Sequence, residues 1–160
     1  MRGFVSYAHV DHAPFGALQT YLTSIGRAYD VVFWADKRIT AGNHWSDRVA
    51  REIEGSHIHL LLMSPAFFAS DYIFEKELPA IAERCRAGAL IVPILVKPCF
   101  WWPFVGVIQA VPMTLRGELL AITEWKPKHN GYNAAANQIA DAIGEQFNRK
   151  PKTPFAWTAS

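Results

Sequence analysis

The chain has 160 residues, of which 51% are apolar, which is enough for one domain with a sizeable core and no need of disulfide staples. Its formal charge of +2, with acidic and basic residues interspersed, excludes a dedicated nucleic-acid surface. The two cysteines, Cys85 and Cys99, form no CxxC pair, so a disulfide framework or zinc knuckle is excluded and a reducing compartment is expected.

In chain order, Phe4-Val5-Ser6-Tyr7 predicts a first strand, followed by a polar loop over 8–14 that carries His9, Asp11 and His12. A first helix is expected over 15–25, with Leu18, Tyr21, Leu22 and Ile25 inward and Gly26 stopping it. Residues 30–34 predict a second strand, and 35–42 a polar loop long enough to do more than connect. A second helix is expected over 45–55 and a third strand over 57–63, ending abruptly at Ser64-Pro65. Ser70 and Asp71 are candidate caps for a third helix over 72–87, which sets Ile73, Glu77, Ala80 and Ile81 near one another. Pro79 inside it removes the amide bond to Glu75 and predicts a kink. A fourth strand (90–96), a rigid aromatic loop with Trp101 and Trp102, a short helix over 104–110, a fifth edge strand (119–123) and a last amphipathic helix (133–147) complete the reading. The alternation of strand and helix predicts an α/β fold with a parallel sheet covered on both faces. Residues 149–160, with two prolines and no periodicity, read as a tail or linker whose Phe155 and Trp157 are candidates to dock on the domain.

The amino terminus turns polar after five residues, unlike a secretory signal. The longest apolar run, 87–96, is too short to span a membrane. A cytoplasmic protein is expected. His57 and His59 share a strand face, yet no acidic or thiol partner is spaced to join them in a metal site. Ser6 lacks a Gly-x-Ser-x-Gly turn, and neither GxGxxG nor GxxxxGKS occurs, so nucleotide binding of the Rossmann or P-loop kind is not expected.

Several stretches together resemble a bacterial TIR (Toll/interleukin-1 receptor) domain: Phe4-Val5-Ser6-Tyr7; Trp34-Ala35-Asp36 with Gly42 and Trp45; the run from Ser64-Pro65-Ala66-Phe67-Phe68 to Asp71-Tyr72 with Glu77; Val92-Pro93-Ile94; Pro98-Cys99-Phe100-Trp101; and Thr123-Glu124-Trp125. The resemblance implies a flavodoxin-like three-layer sandwich over residues 1–148 with five parallel strands in the order 2-1-3-4-5. A cleft then lies at the carboxyl ends of strands one and three, faced by Ser6, Asp36 and Glu77. It further implies cleavage of NAD, as substrate and with no cofactor, at the nicotinamide–ribose bond by a helix-borne glutamate, in an immune effector activated by assembly. Glu77, five residues after Tyr72, is the residue this carries over, with Glu75 as the fallback; Lys76 occupies the four-residue spacing, and Tyr72 stands where many members have tryptophan.

The loop Asp36-Lys37-Arg38 to Gly42 resembles the family's BB loop, which covers the site or contacts a neighbouring copy, with Lys37 and Arg38 available for phosphates. Phe4, Tyr7, Trp34, Trp45 and Tyr72 offer flat surfaces for the substrate's rings, at least half of them expected to be core aromatics. Ser6 and Ser64 complete the candidate binding set. A sensor protein or domain is a further implied partner. Two other readings stay open: a non-catalytic TIR module for assembly, and an N-glycosidase acting on another nucleotide.

Overall fold

The computed structural model describes residues 1–36 and 47–157. Four parallel strands, β1 (Arg2–Ser6), β2 (Val32–Ala35), β3 (Ile58–Met63) and β4 (Leu90–Leu95), lie in the order β2-β1-β3-β4. Central β3 is buried along its whole length, as a strand covered on both faces must be. Its side chains alternate: Ile58, Leu60 and Leu62 join one core, and Leu61 and Met63 the other. Helices α1 (His12–Tyr29) and α6 (Lys128–Phe147) cover the first face, while α2 (Asp47–Gly55), α3 (Pro65–Ala69) and α4 (Leu78–Arg86) cover the second.

Helix α1 does not stop at Gly26. It runs to Tyr29 and ends on Asp30, whose φ of 54° is left-handed and whose N–H reaches the Gly26 carbonyl. The following residue turns back against the helix, with Val31 N–H on the same carbonyl at 3.1 Å. A Cβ on Gly26 would sit 2.5 Å from the Val31 carbonyl oxygen, so the glycine is there for this close approach and not as a terminator.

The fifth strand expected over 119–123 does not form. Instead Val111 makes a single parallel bridge to Ile94, donating to the Pro93 carbonyl at 2.9 Å and accepting from Leu95 N–H at 2.8 Å. Pro112 has no N–H with which to continue the ladder, so the pairing ends there. Leu119 pairs singly with Met113, and residues Ile122–Glu124 turn as a 3-10 helix that places Thr123 N–H on the Val96 carbonyl at 3.1 Å. The short helix expected over 104–110 lies earlier, as α5 (Trp102–Val105).

The tail is tied to the end of α1 by Lys152, whose N–H reaches the Ala28 carbonyl at 2.8 Å and whose ammonium pairs with Asp30. Phe155 and Trp157 do not dock on the domain; they pack on each other, 66% and 84% exposed. Among the described residues no helix is long and apolar enough to cross a membrane.

Candidate active site

The register sets Ser6 and Asp36, two of the candidate residues, side by side at the carboxyl ends of the strands. Val5 lies opposite Ala35 on one side and Leu60 on the other, so Ser6 and Asp36 are the next step outward on adjacent strands. Ser6 is 1% exposed, and its hydroxyl donates to Oε2 of Glu77.

Glu77 is delivered there by an irregular helix. Ser64 caps α3 by accepting from Phe67 N–H at 3.1 Å, and Ser70 caps the next segment by accepting from Ile73 N–H at 3.3 Å, as its position before the helix predicted. The helix then widens into a π turn over Ile73–Glu77, where the Leu78 N–H reaches back to the Ile73 carbonyl. Pro79 offers no N–H to the Glu75 carbonyl, and the wider turn is how the chain accommodates that loss before continuing as α4. Within the turn Ile73 and Glu77 face inward while Phe74, Glu75 and Lys76 face out. Glu75, the alternative carboxylate, is therefore exposed, and Glu77 is the one that meets Ser6.

A carboxyl group that is 5% exposed resists ionisation. Burial pushes Glu77 from 4.5 up to about 7, Asp36's negative charge adds to the effect, and the Ser6 hydrogen bond opposes it. Tyr7, half-buried beside them, stacks on Phe15 with ring centres 4.3 Å apart; burial and Asp36 raise its phenol.

The other candidates separate into rim and foundation. Phe4 is fully buried and offers a ligand no face; it backs Trp34, with ring centres 5.7 Å apart, and Arg48 lies over Trp34 at 5.4 Å. Ser64 is likewise fully buried, occupied in capping and in donating to Asp11, so it does not line the cleft. Tyr72 is half-buried, packed against the second core. Trp101 is half-buried and Trp102 is exposed. Lys37, Arg38 and Trp45, with the rest of the loop to Gly42, lie outside the described residues. A cavity of about 630 Å³ opens along α1 and the β2 edge, lined by Phe15, Leu22, Phe33, Trp34, Asp36 and Arg48 among others. Glu77 is not in its wall; Asp36, which lines the cavity, is the residue whose charge acts on Glu77.

Sequence reasoning missed Asp11, which looked like a polar loop residue. It is fully buried, on a 3-10 turn (His9–Asp11), and accepts from Ser64 and, at 2.6 Å, from the Lys97 ammonium. This contact joins the segments after β1, β3 and β4. Its one legible signal was an acid closely following a strand end, which is too common to single it out.

His57 and His59 stand in different surroundings. The His57 ring accepts from Arg2 N–H at 3.3 Å, while His59 is fully buried and its ring is pushed down to about 4, by burial first and by Arg84's charge second. No group of three or more His, Cys, Asp or Glu side chains among the described residues could hold a metal.

The profile of the TIR domain family matches residues 4–123. An uncharacterized protein, y4lF, of Sinorhizobium fredii (strain NBRC 101917 / NGR234) is 33% identical over 156 residues; the match covers 96% of this chain and 46% of that protein, so the chain spans about half the length of this relative. The TIR domain of the Toll-related receptor TRR-2 from Hydra magnipapillata superposes with a TM-score of 0.47 at 20% identity, covering 88% of this chain and 96% of that one. The TIR domains of the activated Roq1 resistosome, which directly recognizes the pathogen effector XopQ, give a TM-score of 0.49 at 16% identity over 93% of this chain and 84% of that one. With three quarters of its length matched by the family profile, the chain belongs to the TIR domain family.

Proposed function

We propose that this TIR domain cleaves NAD at the nicotinamide–ribose bond, with Glu77 as the catalytic carboxylate. The observation that carries the reading is the inward carboxyl group of Glu77 at the sheet's carboxyl end, held by Ser6 and raised by burial to about 7. Perturbed groups of this kind gather at working sites.

The chemistry asks little more of the protein. Nicotinamide is a cationic substituent in NAD and departs neutral, taking the electron pair of the broken C–N bond, so the leaving group needs no proton. A carboxylate stabilises the oxocarbenium-like sugar that remains, as the carboxylates of glycosidases do, and no second carboxyl group is required as general acid. Water then adds to the sugar carbon and loses a proton, giving ADP-ribose; capture by a nucleophile within the same molecule gives a cyclic isomer instead. Ionised Glu77 is the stabilising form, so the rate rises with pH through about 7. Tyr7 and Trp34 at the rim suit a flat ring, and Lys37 and Arg38 are assigned to the phosphates.

At 5% exposure Glu77 must be uncovered before substrate can touch it. That requirement fits activation by assembly through the 36–42 loop, in response to a sensor protein or domain, as part of an immune response. The same burial also favours the second reading, a non-catalytic assembly module in which Glu77 is a structural acid. Nicotinamide release by the concentrated protein, with Glu77→Ala and Glu75→Ala alongside, separates them: the enzymatic reading requires turnover that Glu77→Ala alone abolishes while still folded.

A further inference from the structure

Three consecutive residues at the end of α1 hold the tail. Lys152 N–H reaches the Ala28 carbonyl at 2.8 Å, the Arg149 guanidinium donates to the Tyr29 carbonyl at 3.4 Å, and the Lys152 ammonium pairs with Asp30. The residues on either side of this turn, Arg27 and Val31, line the cavity of about 630 Å³ between α1 and β2. The tail is thus fastened at the end of the cavity nearest the start of β2. Beyond the fastening come Phe155 and Trp157, which pack on each other and remain mostly exposed. We propose that residues 153–157 are a strap, seen open here, that closes along this groove and seats both rings in it.

Direction, reach and register support the closing. Helix α6 packs on β4 and α1 on β2, so a chain that leaves α6 and crosses the end of α1 is heading for the β2 edge. Strand β2 pairs with β1 alone among the described residues, which leaves its outer side open to an extended segment. Thr153, before Pro154, is biased to extended backbone, and a proline is admitted at a sheet edge. At ~3.3 Å per extended residue, Phe155 reaches ~10 Å beyond Lys152 and Trp157 ~17 Å. Counted back from Ala28 at ~1.5 Å per helical residue, those reaches end beside Leu22 and between Gln19 and Phe15. All three line the cavity. Residues two apart on an extended segment point to one side, so both rings enter together. At about 200 Å² per ring, closing removes about 300 Å² of aromatic surface from water.

The groove leads to the rim of the candidate site. Trp34 lines it, and so does Phe15, on which Tyr7 stacks at 4.3 Å. With the strap closed, Trp157 competes for the flat surface that a substrate ring needs. The closing itself does not depend on the proposed NAD chemistry; this consequence does.

NMR of the full chain tests the closing without reference to turnover, with Trp157→Phe assigning one of the six indole N–H signals. Nuclear Overhauser contacts are expected from the Phe155 and Trp157 rings to the methyl groups of Leu22 and Thr23, unchanged on dilution. Thr23→Trp, at an exposed position lining the groove, puts a ring where Phe155 seats. It should abolish these contacts and speed water exchange of the Trp157 indole N–H by about tenfold. Absence of the contacts in the full chain, their survival in Thr23→Trp, or their loss on dilution, which places the tail in another copy, would each overturn the proposal. A chain ending at Lys152 should have a several-fold lower KM for NAD than the full chain, and an unchanged KM would overturn the strap's role at the site. If no variant cleaves NAD while the contacts are present, the proposed function falls and the strap stands.

Discussion

Replacing Glu77 by Gln removes an ionisable carboxyl group while keeping its length and an acceptor for the Ser6 hydroxyl. In the unfolded chain the acid titrates near 4.5, and in the fold near 7. Below pH 4.5 both states hold the proton and its contribution is fully present. As pH rises from there to about 7, the unfolded chain gives up the proton first, so folding stability falls. At about 1.4 kcal/mol per pH unit, the total loss is about 3 kcal/mol.

The native protein should not show this slope plainly, because His59 opposes it. Its ring titrates near 6.5 when unfolded and about 4 when folded, so its contribution is present above 6.5 and lost as pH falls toward 4. Between 4.5 and 6.5 the two slopes have opposite sign and largely cancel. Urea unfolding of the native chain and of Glu77→Gln, measured at several pH values from 4.5 to about 8, isolates the acid as the difference between the two curves. Relative to native protein, the variant should gain about 3 kcal/mol across that span, or roughly 6–12 °C in melting temperature for a domain of this size. A difference that stays constant with pH would refute the burial argument for Glu77.

Two further outcomes follow from the same contacts. Ser6→Ala deletes the hydrogen bond that lowers the Glu77 pKa, so the carboxyl midpoint should move above about 7, read by carbon-13 NMR titration of the glutamate side chain; a midpoint that falls would show that Ser6 does not favour the ionised form. Asp11→Ala leaves Ser64 and Lys97 without their acceptor. Because Lys97 is 40% exposed and can turn to water, a loss of about 2 kcal/mol in urea unfolding is expected, and an unchanged midpoint would show that the contact does not fasten the strand ends.

What the sequence made legible, and what it did not, divides along local and non-local lines. Glu77 was visible because helical spacing set it beside Ile73 and Ile81, and Ser70 because a cap is a local matter of one hydroxyl and the next turn's N–H groups. That Pro79 disturbs the regular helix was legible, though the π turn before it was not, since a missing N–H can be met in several ways. Asp11 was hidden because its burial depends on Ser64 and Lys97, 53 and 86 residues away. The edge strand was misplaced for a similar reason: Leu119 to Thr123 has strand-like composition, while the place beside β4 is taken by Val111 through backbone pairing that composition does not encode. Gly26 misled because a glycine at a helix end and a glycine admitting a passing carbonyl look alike in sequence.

The central claim is that the carboxyl group buried in the π turn is the one that breaks the nicotinamide–ribose bond. Nicotinamide released from NAD by concentrated protein tests it most directly, comparing the native chain with Glu77→Ala of verified fold. The account predicts release by the native chain, rising with pH through about 7, and none above background from the variant. Equal release by both proteins, or loss with Glu75→Ala in place of Glu77→Ala, would contradict it.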